Sequence, residues 1–215
     1  MRKLRYTLVC DGSSNEVLIP VLSWLLRKQL PGWAIDAKWA DLRWLPKAPT
    51  KLDGRISAGV DLYESDLLFV HRDAEAKPAE KRIQEILRAA HKAGKSRRLP
   101  PVVPVVPVRM QEAWLLSDER AIRAAAGNPN GRMSLSIPPI GTLEKLANPK
   151  RTLFSLLRTA SGLRGRRLKK FRVRQALRRV AELTSDFSGM RELNAFRALE
   201  NETAKTLRRE GWLST

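Results

Sequence analysis

Asp66-Leu67-Leu68-Phe69-Val70-His71-Arg72-Asp73-Ala74-Glu75 decides the fold. Leu67 to Val70 is an unbroken apolar run, the signature of a strand buried on both faces of a parallel sheet. Charge returns at once in His71-Arg72-Asp73-Ala74-Glu75.

Upstream, Leu4 to Cys10 is a second short apolar run. It ends in Asp11-Gly12-Ser13-Ser14, loop chemistry with a helix N-cap at Ser13 or Ser14. From Asn15 to Leu30 the residues Val17, Leu18, Val21, Leu22, Leu25 and Leu26 recur at helical spacing. Pro20 falls in the first turns of that helix, and Pro31-Gly32 stops it. Trp33 to Trp39 reads as a strand, Leu42 to Gly54 as irregular chain and Ile56 to Tyr63 as a helix.

Downstream, Pro78 to Ala93 reads as a helix with proline near its first turn. Pro101 to Val108 is Val-rich but punctured by three prolines, which suits an edge strand. The order β-α-β-α-β-α-β predicts an α/β fold: a mostly parallel sheet with helices on both faces. Ligands of such sheets bind beyond the carboxyl ends of the strands, where both Asp11 and Asp73 fall. Beyond Val108 the pattern turns helical, over 111–116, 119–126, 142–147, 151–159, 166–183 and 191–209. The expected organisation is an α/β core over residues 1–126, with a basic helical extension packed on it over 127–215.

Composition narrows the partners. The chain carries 41 Lys and Arg against 22 Asp and Glu, a net charge of +19. An excess of that size points to a polyanion. Nucleic acid ranks first, an acidic protein second and a membrane surface third. Basic surfaces also arise from Arg-rich composition without any such partner. No run of about 18 apolar residues suggests a membrane span. The apolar stretch behind the basic residues 1–5 breaks at Asp11 and reads as a strand, not a signal peptide. The single cysteine, Cys10, has no internal partner, and a cytoplasmic setting is expected.

Asp11, Asp73 and Glu75 each follow an apolar strand, where a carboxylate meets solvent or an ion. Asp73 and Glu75, separated by one residue, share a side of an extended segment. Glu16 lies one turn into the next helix. Hard cations such as Mg²⁺ take one or two carboxylates together with water and phosphate. An acid after a strand is also ordinary loop or cap chemistry. Glu112 and Asp118 add acids near the fourth strand, and Trp114 reads as core. His71 adjoins Asp73, either structurally or as a proton acceptor. Arg164, Arg166, Arg167, Lys169, Lys170, Arg172 and Arg174 form a dense basic run suited to phosphate backbones.

These segments resemble the Toprim-like fold, and more closely a bacterial family called domain of unknown function 4276. In Toprim domains a strand ends in an acid followed by Gly, and a later strand ends in Asp-x-Asp. Leu8 to Glu16 resembles the first motif, with Asp11 in place of the usual Glu. Phe69 to Glu75 resembles the second, with Glu75 at the second Asp. Arg109-x-x-Glu112-x-Trp114-x-x-x-Asp118, Asn148-Pro149-Lys150 and Asn194 to Glu200 resemble segments of the narrower family, so the likeness spans nearly the whole chain. It implies Mg²⁺, with Mn²⁺ as substitute, held by Asp11, Asp73 and Glu75. Glu16 and Glu112 would join them in catalysis. It also implies a bacterial anti-phage role beside an AAA-type ATPase. Two readings stand: a Mg²⁺-dependent nuclease of DNA or RNA, and a non-enzymatic subunit that binds nucleic acid or the ATPase.

Overall fold

The structure is a computed structural model that describes residues 2–10 and 16–213. Strand β1 (Lys3–Cys10) takes the middle of the sheet because its sequence is apolar toward both faces. Leu4, Tyr6 and Leu8 point one way and Val9 the other. Strands β2 (Ala34–Trp39) and β3 (Leu67–His71) flank it, and β4 (Val102–Val105) pairs with β3. All pairs are parallel, in the order β2-β1-β3-β4. Every residue of β3 is buried, as its sequence predicts. β4 is an edge, where Pro104, opposite Val70, needs no outward donor.

Helices α1 (Leu18–Gln29), α2 (Leu52–Leu62) and α3 (Ala79–Gly94) alternate with the strands. α2 and α3 cover one face, packing Ile56, Ile86, Ala90 and Ala93 on Val9, Leu68 and Val70. α2 approaches so closely that a Cβ on Gly59 would stand 2.9 Å from Val9 Cγ2, which restricts that position to glycine.

The other face carries α1 and the rest of the chain. This comprises α4 (Glu119–Ala125), α5 (Pro149–Ala160), α6 (Gly165–Lys169), α7 (Val173–Leu183) and α8 (Asn194–Arg209), with 3-10 turns over 111–116, 140–145 and 188–192. One apolar cluster runs from Leu4 and Phe69 of the sheet through Leu157 and Val180 to Phe196 and Leu207. It is not interrupted at residue 126. Edge-to-face pairs of Trp24 with Phe187, at 5.9 Å, and of Trp114 with Phe196, at 5.6 Å, tie α1 and the 111–116 turn to the C-terminal helices. Trp114 is thus core, as read.

Several boundaries differ from expectation. β4 is half the predicted length, though main-chain hydrogen bonds from the end of β3 continue past it to Pro107 and Arg109. The expected helices at 111–116 and 142–147 are 3-10 turns. The expected helix 166–183 is broken at 170–172 into α6 and α7. A continuous helix there would ring itself with like charges. The break instead lets Phe171 and Val173 pack against the core. The N-cap expected at Ser13 or Ser14 lies outside the described residues. Among those described, no helix is long and apolar enough to cross a membrane.

Candidate functional site

The carboxyl ends of β3 and β4 run on together after the strands stop. Arg72 N donates to Val105 O at 3.1 Å, Ala74 N to Pro107 O at 3.0 Å and Glu75 N to Arg109 O at 3.0 Å. This extension is strained on both segments at its far end. Glu75 has φ +56° and Arg109 has φ +59°, the two non-glycine residues with left-handed backbone among those described, and they are bonded to each other. Non-glycine residues avoid this region, and such strain persists only where the surrounding structure imposes it.

Asp73 is what this frame holds. Its Oδ1 accepts from Gln111 N at 3.0 Å and shares a 3.2 Å hydrogen bond with His71 Nε2. With Asp73 ionised, Nε2–H is the donor. His71 is 1% exposed, so it orients Asp73 and does not itself meet solvent. Oδ2 has no donor among the described residues, and the side chain is 28% exposed. One oxygen is therefore anchored and the other open, the disposition of a carboxylate that receives a cation or a proton.

Glu75 goes elsewhere. The left-handed turn breaks the strand-like alternation on which the shared side of Asp73 and Glu75 was predicated. The Glu75 carboxylate pairs with Arg82 at 2.6 Å. Arg82 also donates to Glu85 at 2.8 Å, as does Arg72 at 2.8 Å. The Arg82 guanidinium holds the Glu85 carboxyl below the usual carboxylate range.

Glu112 is 3% exposed at the start of the 3-10 turn after β4. Its carboxylate faces Lys150 Nζ at 3.4 Å. A buried carboxylate needs such a counter-ion. Lys150 reaches it because Asn148-Pro149-Lys150 starts α5: Asn148 Oδ1 caps Arg151 N at 2.9 Å, and Pro149 occupies the first helical turn. Gln111, which holds Asp73, is the neighbour of Glu112. Asp73, Glu112 and Lys150 are thus joined through a few bonds.

Asp11 lies outside the described residues. Cys10, which precedes it, pairs with His71, two positions before Asp73. Arg55 NH1 of α2 donates to Cys10 O at 2.6 Å and brings a base to this end of β1. Cys10 itself is buried beside Trp39, whose indole N–H donates to its Sγ at 3.1 Å. Glu16 is exposed and faces Arg178 of α7 at 3.9 Å. Both line a cleft of about 290 Å³ over Trp39 and Pro20. Among the described residues, no three of His, Cys, Asp and Glu gather as a metal-binding group. Asp118 caps α4, accepting from Ala121 N at 3.0 Å. In the segment from Asn194 to Glu200, Phe196 and Leu199 are buried, while Glu144 accepts from Asn194 N and Ala195 N.

Arg164, Arg166, Arg167, Lys169, Lys170, Arg172 and Arg174 are all exposed. α6 buries no residue. Among the described residues none of the seven has a carboxylate within ion-pairing distance, so their charge is open to a polyanion.

The sequence reading missed Arg55 and Gln111 as site-builders. It marked Arg109 as a base near the fourth strand but not its left-handed backbone, because nothing in an arginine announces a positive φ. Gln111 holds Asp73 through its backbone amide, which any residue supplies. Comparison with protein-family models, with curated proteins and with solved structures finds no match to this chain.

Proposed function

We propose that the chain is a Toprim-like, divalent-metal-dependent nuclease that hydrolyses phosphodiester bonds of DNA or RNA. The observation that carries this reading is Asp73. It sits in a strained, hydrogen-bonded frame at the carboxyl end of a parallel sheet, with one oxygen tethered and the other open.

Asp73 Oδ2 fits a hard cation, because Mg²⁺ takes few protein carboxylates and completes its shell with water and phosphate. Asp11 is the second ligand in this reading. Bound there, Mg²⁺ or Mn²⁺ would supply Lewis acidity toward a phosphoryl oxygen and a nucleophile at neutral pH. The chain does the rest. His71 and the Gln111 amide fix Asp73, Lys150 pairs with the Glu112 carboxylate, and the bases from Arg164 to Arg174 hold the phosphate backbone. An AAA-type ATPase is the partner that the resemblance adds, in a bacterial anti-phage setting.

A second reading has its own observation. Glu75 is engaged by Arg82, which removes it from Asp73 and favours a non-enzymatic subunit that uses the basic surface alone. Incubation of the protein with labelled single- and double-stranded DNA and RNA in Mg²⁺, Mn²⁺ and EDTA separates the two. The nuclease reading expects cleavage in either metal and none in EDTA. Binding without cleavage in every metal would leave the subunit reading standing.

A further inference from the structure

The outward face of α5 has a composition that its role in the core does not require. Its inward stripe, Leu153, Leu156, Leu157 and Ala160, is buried in the main cluster. On the other side, Lys150, Phe154 and Arg158 stand at successive i+4 spacings, with Arg151 and Ser155 beside them. Together with Asn148 they line a groove of about 390 Å³ that contains no acid. Arg151 and Arg158 are exposed and have no carboxylate partner among the described residues. The Arg158 guanidinium instead lies over the Phe154 ring, 6.0 Å from its centroid.

We infer that this groove is a binding platform for single-stranded nucleic acid, with Phe154 as its base-stacking surface. The inference rests on the nucleic-acid reading above and names the form of strand that reaches the site. Arg151 and Arg158, without acid partners among the described residues, and Lys150, shared with Glu112, suit a phosphate backbone. The aromatic ring between them chooses the form, because a duplex hides its base faces while an unpaired strand offers them for stacking. An acidic peptide would use the bases and leave the ring idle. The groove spans about 12 Å from Lys150 to Arg158, at 1.5 Å per helical residue. That length accommodates about three nucleotides at the roughly 3.4 Å rise of a stacked strand.

Position supports the same assignment. Lys150 belongs both to the groove and to the ion pair with Glu112, whose neighbour Gln111 holds Asp73. A strand lying on α5 therefore ends beside the carboxylates. At its other end, Arg158 is in the last turn of α5, and the basic run begins at Arg164.

The test is fluorescence anisotropy in EDTA, with labelled oligothymidylate and with a duplex of equal length, so that cleavage does not intrude. Phe154→Leu keeps apolar volume against the core and removes the ring. It is expected to weaken oligothymidylate binding by about ten-fold, the scale of one lost base–aromatic stack, while duplex binding stays within about two-fold. Phe154→Tyr should bind as wild type does. Arg158→Ala, at an exposed position that does not threaten folding, should also weaken the single strand more than the duplex. Wild-type binding of oligothymidylate by both Phe154→Leu and Arg158→Ala overturns the inference while sparing the nucleic-acid reading. Equal losses for strand and duplex overturn it as well. If wild type binds neither oligonucleotide at low salt, the nucleic-acid reading falls and this inference falls with it.

Discussion

The loop around Asp73 and the run from Arg164 to Arg174 both present charge at the surface, and they hold it in opposite ways. At Asp73 the backbone is bent into left-handed turns, a buried histidine and a main-chain amide grip one carboxylate oxygen, and a buried glutamate is locked to a lysine from another helix. In the basic run α6 buries nothing, and the side chains reach into water without partners among the described residues. Charge fixed in place before a substrate arrives is what electrostatic catalysis requires. Mobile charge on long side chains gives affinity that depends on salt and little geometry. On the proposed reading, the difference separates a region fit for chemistry from one fit for backbone binding.

Breaking the interlocked region should cost stability; breaking the loose one should not. Lys150→Met leaves the Glu112 carboxylate buried without a counter-ion. It should destabilise the fold by about 3 kcal/mol in urea unfolding, since half of a buried pair is removed. A cost under about 0.5 kcal/mol would mean that Glu112 is far better solvated than its 3% exposure suggests.

Replacing Arg166, Arg167, Lys169 and Lys170 together by Gln should leave the urea midpoint nearly unchanged. It should weaken duplex binding at least about ten-fold at low salt and flatten the salt slope by up to roughly 3.6 units, about 0.9 for each of four phosphate contacts. Unchanged anisotropy titrations would move the polyanion surface elsewhere. Base-edge contacts are not implied, so the loss should be alike across sequences.

The far end of the same strands sharpens the contrast, because there a well-made ion pair serves structure alone. Asp66, at the start of β3, accepts from Arg5 N at 2.9 Å and from Arg5 NH2 at 2.7 Å. The Arg5 side chain holds its carboxyl below the usual range. A carboxyl lowered on folding stabilises the protein above its unfolded value, near pH 3.9, and that contribution is lost as pH falls toward the lowered folded value. Asp66→Asn should cost about 1–2 kcal/mol at neutral pH, and the gap to wild type should close as the solution is acidified below about pH 4. A gap that stays constant with pH would show that the carboxylate charge is immaterial.

The smallest effect addresses the strain itself. Arg109→Gly relieves a left-handed arginine at φ +59° and should stabilise the fold by about 0.5–1 kcal/mol in thermal melting. A destabilised variant would show that the arginine side chain, and not backbone strain, dominates at that position.

Much of the frame was legible in sequence. Leu67 to Val70 announces a strand buried on both faces, and the alternation of strands and helices announces the parallel sheet. The placement of β1 beside β3 follows from two equally buried runs, and β4 as an edge follows from its prolines. Local pattern fails where distant contacts decide. Glu75 was expected beside Asp73 because extended chain alternates; a hydrogen bond to Arg109 twists it toward Arg82 instead. The meeting of Glu112 with Lys150 depends on how α5 docks, which no spacing encodes. The break before α7 reflects competition between helical continuity and the core's demand for Phe171 and Val173.

The most direct test of the division of labour is Asp73→Asn. The substitution keeps the hydrogen-bonding shape and removes the charge on which a cation would sit. It should be assayed beside wild type for cleavage of labelled nucleic acid in Mg²⁺ and for binding in EDTA. The account predicts at least about a hundred-fold loss of cleavage, on the scale of removing one catalytic group, with binding unchanged or slightly tighter because a negative charge beside the phosphate path has gone. Cleavage by Asp73→Asn at the wild-type rate would contradict it, and would place the chemistry away from the strained end of β3.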